Sequence, residues 1–343
     1  MQREREISSR LLQNDFAHIS NQNLPADLQN PRETAMLGEY FRSKAQEMIM
    51  LDCPDLDGAL NCIRTFRESL DGRMLTPVER FETYRNRLME GKIMRFKGEF
   101  VKSEEILDAL FLEDIPDSLT VTVSEQLVAS ICEQGRLDQA EKVARVAINN
   151  YQNLLPNGAH RERLREYRSL RIALVEVFTC QVIQSKISGG NSIHNDKIME
   201  LSNLQQELRR PEDSRKSGII WASNADDLRL SISEALLIQL TQPSKQNTWE
   251  NAWGCAEKCE GKVTAFIPAI IGYCDCIVQK SLGKDSDAKS VFEKAEEAWS
   301  EVGRQPEYWW IGLGTFLIDW LANVLPESGL AKWTGSRRPP LGT

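Results

Sequence analysis

The sequence has little of what most catalytic sites are built from. Histidine occurs only three times in 343 residues, and no nucleophile motif accompanies any of the three. The chain also lacks a glycine-rich loop of the kind that cradles a phosphate group. These absences argue against nucleophilic and nucleotide-dependent enzymes, and we expect no catalytic residues and no cofactor.

Strand signals are nearly absent as well. The one short β-like run, residues 119–123, lies between helical patterns and is better explained as the start of a helix. Hydrophobic residues make up 41% of the chain and charged residues 27%, which is ordinary for a folded protein and too apolar for a disordered one. The sequence therefore predicts an all-α protein.

Basic charge and long apolar runs are also scarce. The formal net charge is −8, whereas nucleic-acid binding needs a basic footprint, so we expect no nucleic-acid partner. The longest apolar stretch, residues 309–325, is interrupted by polar residues and glycines and is too short to span a bilayer comfortably. No secretory pattern opens the chain. We expect an intracellular protein, cytoplasmic or nuclear, that does not enter a membrane.

Cysteine is present eight times, but its distribution is not that of a metal site. The cysteines are unevenly spaced and often fall on apolar helix faces, which is typical of buried thiols in a reducing compartment. A four-thiolate zinc site needs close, convergent pairs. Cys274 and Cys276 lie two positions apart on a predicted helix and so point in different directions. We expect no metal.

What the sequence does contain is one spacing that occurs three times. A glycine is followed at +5, +9 and +12 by small or apolar residues. The glycine suits a tight turn with positive φ, and the next three positions line one face of the following helix. The spacing therefore predicts helical hairpins whose two helices approach closely. The three copies are Gly98, Ser103, Leu107 and Leu110; Gly135, Ala140, Ala144 and Ala147; and Gly283, Ala288, Phe292 and Ala295.

These units resemble tetratricopeptide repeats (TPRs), which have a small residue in the first helix, a glycine at the turn, and alanine, an aromatic residue and alanine in the second helix. Gly91 is the small residue seven positions before Gly98. The family's tryptophan is missing from all three first helices, and Met94, Ile131 and Gln279 replace its tyrosine. The resemblance implies a right-handed α-solenoid of about six TPR-like hairpins with a C-terminal capping helix. The alternative is an irregular all-α domain.

We expect five segments along the chain, because glycine, proline and charged breaks interrupt the helical pattern. They are a charged, partly disordered N-terminal segment (1–31), an N-terminal TPR-like lobe (32–187), a C-terminal TPR-like lobe (188–304), an apolar capping helix (305–333) and a disordered tail (334–343).

The resemblance also implies a binding groove, because the first helices of such repeats line a concave surface. The corresponding positions include Arg85, Lys92, Arg95 and Phe96 in one hairpin and Tyr273 in another. The three cations, at spacings of 7 and 3, share a helix face. They would hold an acidic or phosphorylated protein segment, with Phe96 and Tyr273 offering apolar contact. The alternative is a solvated face that keeps the helix soluble.

A second candidate interface is the apolar segment near the C-terminus. Around Trp309, Trp310 and Trp320 it is apolar almost all round, whereas a capping helix should show a polar outer face. Two interpretations remain open. Either the helix is buried against the last hairpin and covered by the tail, or it is an interface for self-association or for a larger neighbour.

The sequence therefore predicts a non-catalytic adaptor or scaffold that binds a partner segment in a concave groove. The alternative is an all-α biosynthetic enzyme, or an enzyme accessory, with a small-molecule pocket between the lobes. A class I terpene cyclase would suit the length, but its metal triad at steps of four is incomplete, because Leu230 stands between Asp226 and Glu234. A closed cavity with convergent carboxylates would favour the enzyme, and an open groove the adaptor.

Overall fold

The computed structural model describes residues 31–49, 55–72, 74–153, 161–187, 195–209, 224–258, 266–301 and 313–330. Within these ranges the chain forms thirteen helices and no strand, which confirms the all-α prediction. None of these helices is both long and apolar enough to cross a membrane. The expected tail, and the expected N-terminal segment except residue 31, lie outside the described residues.

The helices follow one another along the chain, and residues 119–123 belong to the fifth. They are α1 (Pro31–Ile49), α2 (Leu56–Glu68), α3 (Pro77–Phe96), α4 (Phe100–Leu112), α5 (Asp117–Glu133), α6 (Leu137–Asn153), α7 (Arg161–Ile187), α8 (Asn195–Arg209), α9 (Asn224–Thr241), α10 (Glu250–Lys258), α11 (Phe266–Ser281), α12 (Asp285–Ser300) and α13 (Leu313–Val324).

Contacts divide the chain into two compact units, Met1–Thr120 and Val121–Thr343. The first contains α1 to α4 and the second α6 to α13, while α5 begins in the first and continues into the second. The sequence instead suggests a division between residues 187 and 188. The two divisions differ because α7, which ends at Ile187, packs against both α8 and α9.

In the first unit, α1 pairs with α2 and α3 with α4, and α3 also packs against α1 and α2. Local signals set where these helices begin. The Asp55 carboxylate accepts a hydrogen bond from the Gly58 N–H at 2.8 Å, which caps α2. At α3, the Thr76 hydroxyl accepts from the Glu79 N–H, and the Glu79 carboxylate accepts from the Thr76 N–H. This capping box precedes Pro77 at the first helical position.

The three predicted turn glycines have the backbone conformation that the spacing requires. Gly98, Gly135 and Gly283 have φ angles of +76°, +74° and +71°. In each turn the residue after the glycine donates its N–H to a carbonyl oxygen five positions back, which is a Schellman arrangement. The three accepting carbonyls belong to Met94, Ile131 and Gln279, at 2.9, 3.3 and 3.1 Å. The first helix of each of the three predicted hairpins therefore ends in the same type of turn.

The face positions after those glycines are also placed as predicted, since all nine except Phe292 are buried. The first of these hairpins shows why small residues are needed. The Ser103 hydroxyl donates to the Gly91 carbonyl at 2.7 Å across the hairpin. A Cβ added to Gly91 would lie 2.8 Å from Cγ of Leu107, which is fully buried. The backbones of α3 and α4 therefore approach closely at this point.

In the second unit, α7 is the central element. It packs against α6, α8, α9 and α13. Its residues from Leu170 to Ile183 are buried almost without interruption, as expected of a helix that is covered on all sides. The contact with α13 joins two helices that are far apart along the chain. The remaining helices of the unit continue from α9 through α10 to α11, which pairs with α12.

Helix α8 is attached to its neighbours by a small apolar face and by several partly exposed ion pairs. Among its described side chains, Leu201 and Leu208 are the buried apolar ones. Ion pairs join it to three neighbouring helices. These pairs are Lys197–Glu141 and Glu200–Arg145 to α6, Glu207–Arg171 to α7, and Arg209–Glu234 to α9. Burial disfavours the charged form of Glu141, but hydrogen bonds from Lys197, Gln181 and Arg145 outweigh it and hold its pKa below 4.5.

We expect the amide protons of α8 to exchange about 5- to 10-fold faster in 1 M than in 0.05 M sodium chloride, because high salt screens partly exposed ion pairs. Acidification should also make the amide protons of α8 exchange faster. The lowered pKa of Glu141 contributes stability that is present above pH 4.5 and is lost as the pH falls through the folded-state pKa. Hydrogen–deuterium exchange measures both effects. Helix α12 is the internal control, and equal salt sensitivity of the two helices would contradict the prediction.

Candidate functional site

An open groove of about 470 Å³ lies between α1 and α3 in the first unit. These are the first helices of two consecutive hairpins. The lining residues of α1 occupy one face of that helix, since they recur at spacings of three and four. The lining consists of Glu39, Arg42, Ser43, Gln46 and Glu47 from α1 and of Arg85 and Met89 from α3.

A buried carboxylate joins the two arginines of this groove. The Arg42 guanidinium donates to Oε2 of Glu82, and Nη1 of Arg85 donates to Oε1 of the same residue at 3.2 Å. Arg42 is 7% exposed, while the Arg85 side chain is 39% exposed. Burial lowers the pKa of Arg42, and the hydrogen bond and charge of Glu82 oppose this shift. Two cations that share one carboxylate leave one positive charge in excess.

Gly38 allows this arrangement. A Cβ at this position of α1 would lie 3.0 Å from the ring of Phe66 and 3.1 Å from a carboxylate oxygen of Glu82. The glycine therefore leaves room for α2 and for the carboxylate that orients both arginines. The side-chain amide of Asn86 donates to the Glu82 carbonyl at 2.8 Å, one turn further along α3.

The structure separates the predicted cations of α3. An α-helix turns about 100° per residue, so Lys92 lies about 20° and Arg95 about 80° around the helix from Arg85. Arg85 therefore lines the groove, and Lys92 is half-buried two turns further along. Arg95 falls on the side of Gly91, which faces α4. It is 4% exposed and stacks on the Phe96 ring at 4.9 Å. Arg95 is thus not part of an exposed cationic face.

Tyr273 lies in the core of the second unit with no exposed surface. Its hydroxyl donates to Oε1 of Glu296 at 2.6 Å, and burial raises its pKa. The same carboxylate oxygen accepts from the Gly329 N–H at 2.8 Å. Tyr273 therefore helps to hold the segment after α13 against α11 and α12, and in this conformation it offers no apolar contact to a partner.

The candidate interface near the C-terminus is only partly described. Trp309 and Trp310 lie outside the described residues. Trp320, on α13, is 7% exposed, and Phe316, Leu317 and Leu321 are fully buried. Of the two interpretations, burial applies to this part of the helix. It packs chiefly against α7 and also against α11 of the last hairpin.

A buried ionic cluster in the second unit was not predicted. Arg229 on α9 forms a bidentate pair with Glu176 on α7, at 2.9 and 2.8 Å. Its Nη1 also donates to Glu125 on α5 at 3.2 Å and to Asp226 at 3.3 Å. All three carboxylates are at most 9% exposed. Burial raises the pKa of Glu176 despite Arg229, and the neighbouring carboxylates add to the rise.

The chemistry of this cluster is structural. Its three carboxylates converge on one guanidinium. Across the described ranges, no group of three or more histidine, cysteine, aspartate or glutamate side chains is arranged to hold a metal ion. In the sequence, only the i, i+3 spacing of Asp226 and Arg229 signalled a pair, and nothing local pointed to the carboxylates from α5 and α7.

Comparison with models of known protein families gives no match to this chain, and comparison with curated proteins also gives none. The fold and the groove define an all-helical protein with an open surface site between two first helices.

Proposed function

We propose that this protein is a non-catalytic adaptor built from TPR-like hairpins of the right-handed α-solenoid type, and that it binds a segment of a partner protein. The observation that carries the proposal is the open groove between α1 and α3. The TPR resemblance implies a concave binding surface on the first helices of consecutive hairpins, and this groove lies between two of them. The repeated turn geometry and the buried +5, +9 and +12 positions support the resemblance.

The groove offers the contacts that recognition of a peptide segment requires. Ser43 and Gln46 are exposed on α1 and can exchange hydrogen bonds with a peptide backbone. Met89 supplies an adaptable apolar surface. Arg85 is held in place by Glu82 and still has guanidinium donors to spare. The two carboxylates that the terpene-cyclase alternative would use are paired with arginines in the second unit, Asp226 with Arg229 and Glu234 with Arg209.

Site-specific photocrosslinking in cells tests the proposal. A benzoylphenylalanine at Gln46, on the groove, is expected to capture a partner at least about tenfold more efficiently than one at Val101, which is 59% exposed on α4. The Arg85→Glu substitution should lower capture at Gln46 about tenfold or more, because it replaces a guanidinium in the groove by a carboxylate. Mass spectrometry identifies the captured chain.

The matched control is Arg87→Glu on the same helix, because Arg87 pairs with Glu113 at 2.5 Å and does not line the groove. This variant should keep the capture at Gln46. Equal capture from Gln46 and Val101, or capture that persists in Arg85→Glu, would show that partners do not bind in the groove. Arg95 is not a suitable position for the test, since reversing a buried charge would disturb the fold.

A further inference from the structure

The charges of the groove alternate along its length. On α1, Glu39 and Glu47 mark the two ends of the lining face, and Arg42 lies between them. Arg85 reaches the same middle region from α3, since it shares Glu82 with Arg42. The order is therefore negative, positive, negative. The two end carboxylates are eight residues apart on a helix, which corresponds to about 12 Å.

The middle of the groove suits a carboxylate. Arg42 and Arg85 share one internal carboxylate, so one of their two charges is not balanced by Glu82. Within the described part of the chain, Nη2 of Arg42 donates to no acceptor although it is buried. Arginine donors that are shielded from water and unpaired are costly. The Arg85 side chain is 39% exposed, so a carboxylate entering the groove would accept hydrogen bonds from its guanidinium, and the buried Arg42 beside it would add its positive charge.

The ends of the groove suit the opposite charge. Glu39 and Glu47 are both exposed. Glu47 pairs with Lys44 at 2.6 Å, but Glu47 is 64% exposed and Lys44 is only half-buried, and such a surface pair contributes little to stability. A uniformly acidic or phosphorylated segment would be attracted by the arginines and repelled at both ends. A segment with basic side chains on either side of its carboxylate would be attracted at all three places.

We propose, on the basis of the proposed function, that the groove binds an extended segment with one acidic side chain between two basic ones at alternate positions, in its simplest form Lys-x-Glu-x-Lys. In an extended chain the side chains at i, i+2 and i+4 point to the same face. Four residues at about 3.3 Å each span about 13 Å, which matches the distance between the two glutamates. The glutamate of the segment then lies at Arg42 and Arg85, and its lysines lie at Glu39 and Glu47.

Synthetic peptides and the full chain test this inference. The probe is capped Ser-Lys-Ser-Glu-Ser-Lys-Ser, titrated by isothermal calorimetry or by NMR at low salt. We expect it to bind about tenfold more tightly than the same residues with both lysines placed before the glutamate, and than a peptide with glutamate at all three positions. The Glu39→Lys/Glu47→Lys variant should reverse the order and prefer the all-glutamate peptide about tenfold. Both substituted residues are exposed, so the fold should persist.

Reversing the charge of Arg85, in the middle of the groove, gives a second test of the inference. Arg85→Glu should bind the probe about tenfold less tightly and should recover binding to a peptide with lysine at all three positions, whereas Arg87→Glu should behave as the wild type. Tighter binding of the all-glutamate peptide or of a phosphoserine peptide to the wild type would overturn the inference. So would a preference for helical Lys-x-x-x-Glu-x-x-x-Lys spacing, or no binding of any peptide. Crosslinking at Gln46 decides the adaptor proposal independently of these outcomes.

Discussion

Substituting glutamine for Arg229 is expected to lower the free energy of unfolding of the second unit by about 3–5 kcal/mol, because it leaves buried carboxylates without their guanidinium. The loss in the free energy of unfolding should be larger at higher pH. The folded-state pKa of Glu176 is already above 4.5, and removing Arg229 raises it further. A raised carboxyl pKa makes no difference to stability below the unfolded-state pKa, destabilises increasingly between the unfolded-state and the folded-state pKa, and adds no further loss above the folded-state value.

Urea unfolding at pH 5 and pH 8, followed by tryptophan fluorescence, measures this effect. All eight tryptophans lie between residues 221 and 333, so their emission reports on the second unit alone. The control is Arg171→Gln. Its partner Glu207 is 59% exposed, and loss of such a pair should cost no more than about 1 kcal/mol. Equal losses in the two variants would mean that the Arg229 cluster contributes no more than a surface pair.

The same substitution at two helical glycines is expected to have opposite effects. Gly91→Ala should destabilise the first unit by about 1–3 kcal/mol, because the new Cβ would press on the buried Leu107 at 2.8 Å. Gly254→Ala should stabilise the second unit by up to about 1 kcal/mol. Nothing lies within 4 Å of a Cβ at Gly254, and alanine is the better helix former.

Circular dichroism in urea gives both values, with exchange protection of α3 and α4 locating the first effect. A double-variant cycle supplies the control for Gly91→Ala. Shortening Leu107 to alanine makes room for the new methyl group, so the two substitutions together should cost less than the sum of their separate effects. Additive losses, or a stabilising Gly91→Ala, would contradict the close approach of α3 and α4.

The features that could be predicted from the sequence are those that depend on local periodicity. Turn glycines with positive φ, and the small residues that follow them, can be found because each signal lies within one hairpin. The Thr76–Glu79 capping box is equally local. The same reasoning selected Arg85 as a groove residue, but it could not identify Glu82, the carboxylate that accepts from both Arg85 and Arg42, which lies 40 positions before Glu82.

The burial of Arg95 and Tyr273 and the cluster around Arg229 could not be predicted for one physical reason. Contacts between helices that are distant in sequence decide which side chains are buried. Arg95 shares a broad helix face with Arg85, but a rotation of about 80° is enough to place it beside α4. Tyr273 occupies a first-helix position whose surroundings include Glu296, 23 residues later. The cluster around Arg229 unites side chains up to 104 positions apart. No periodic pattern in the sequence encodes such distances.

The packing of α13 on α7 has a consequence for how the protein is made. Ribosomes add about 5–20 residues per second, so the stretch from Ile187 to Leu313 takes roughly 6–25 s to synthesise at those rates. During that time the surface of α7 that α13 will cover has no partner. The main contacts of the first unit join helices that are close neighbours along the chain, so this unit can fold while its successor is still emerging. The second unit therefore completes its packing later in synthesis than the first, when α13 reaches α7.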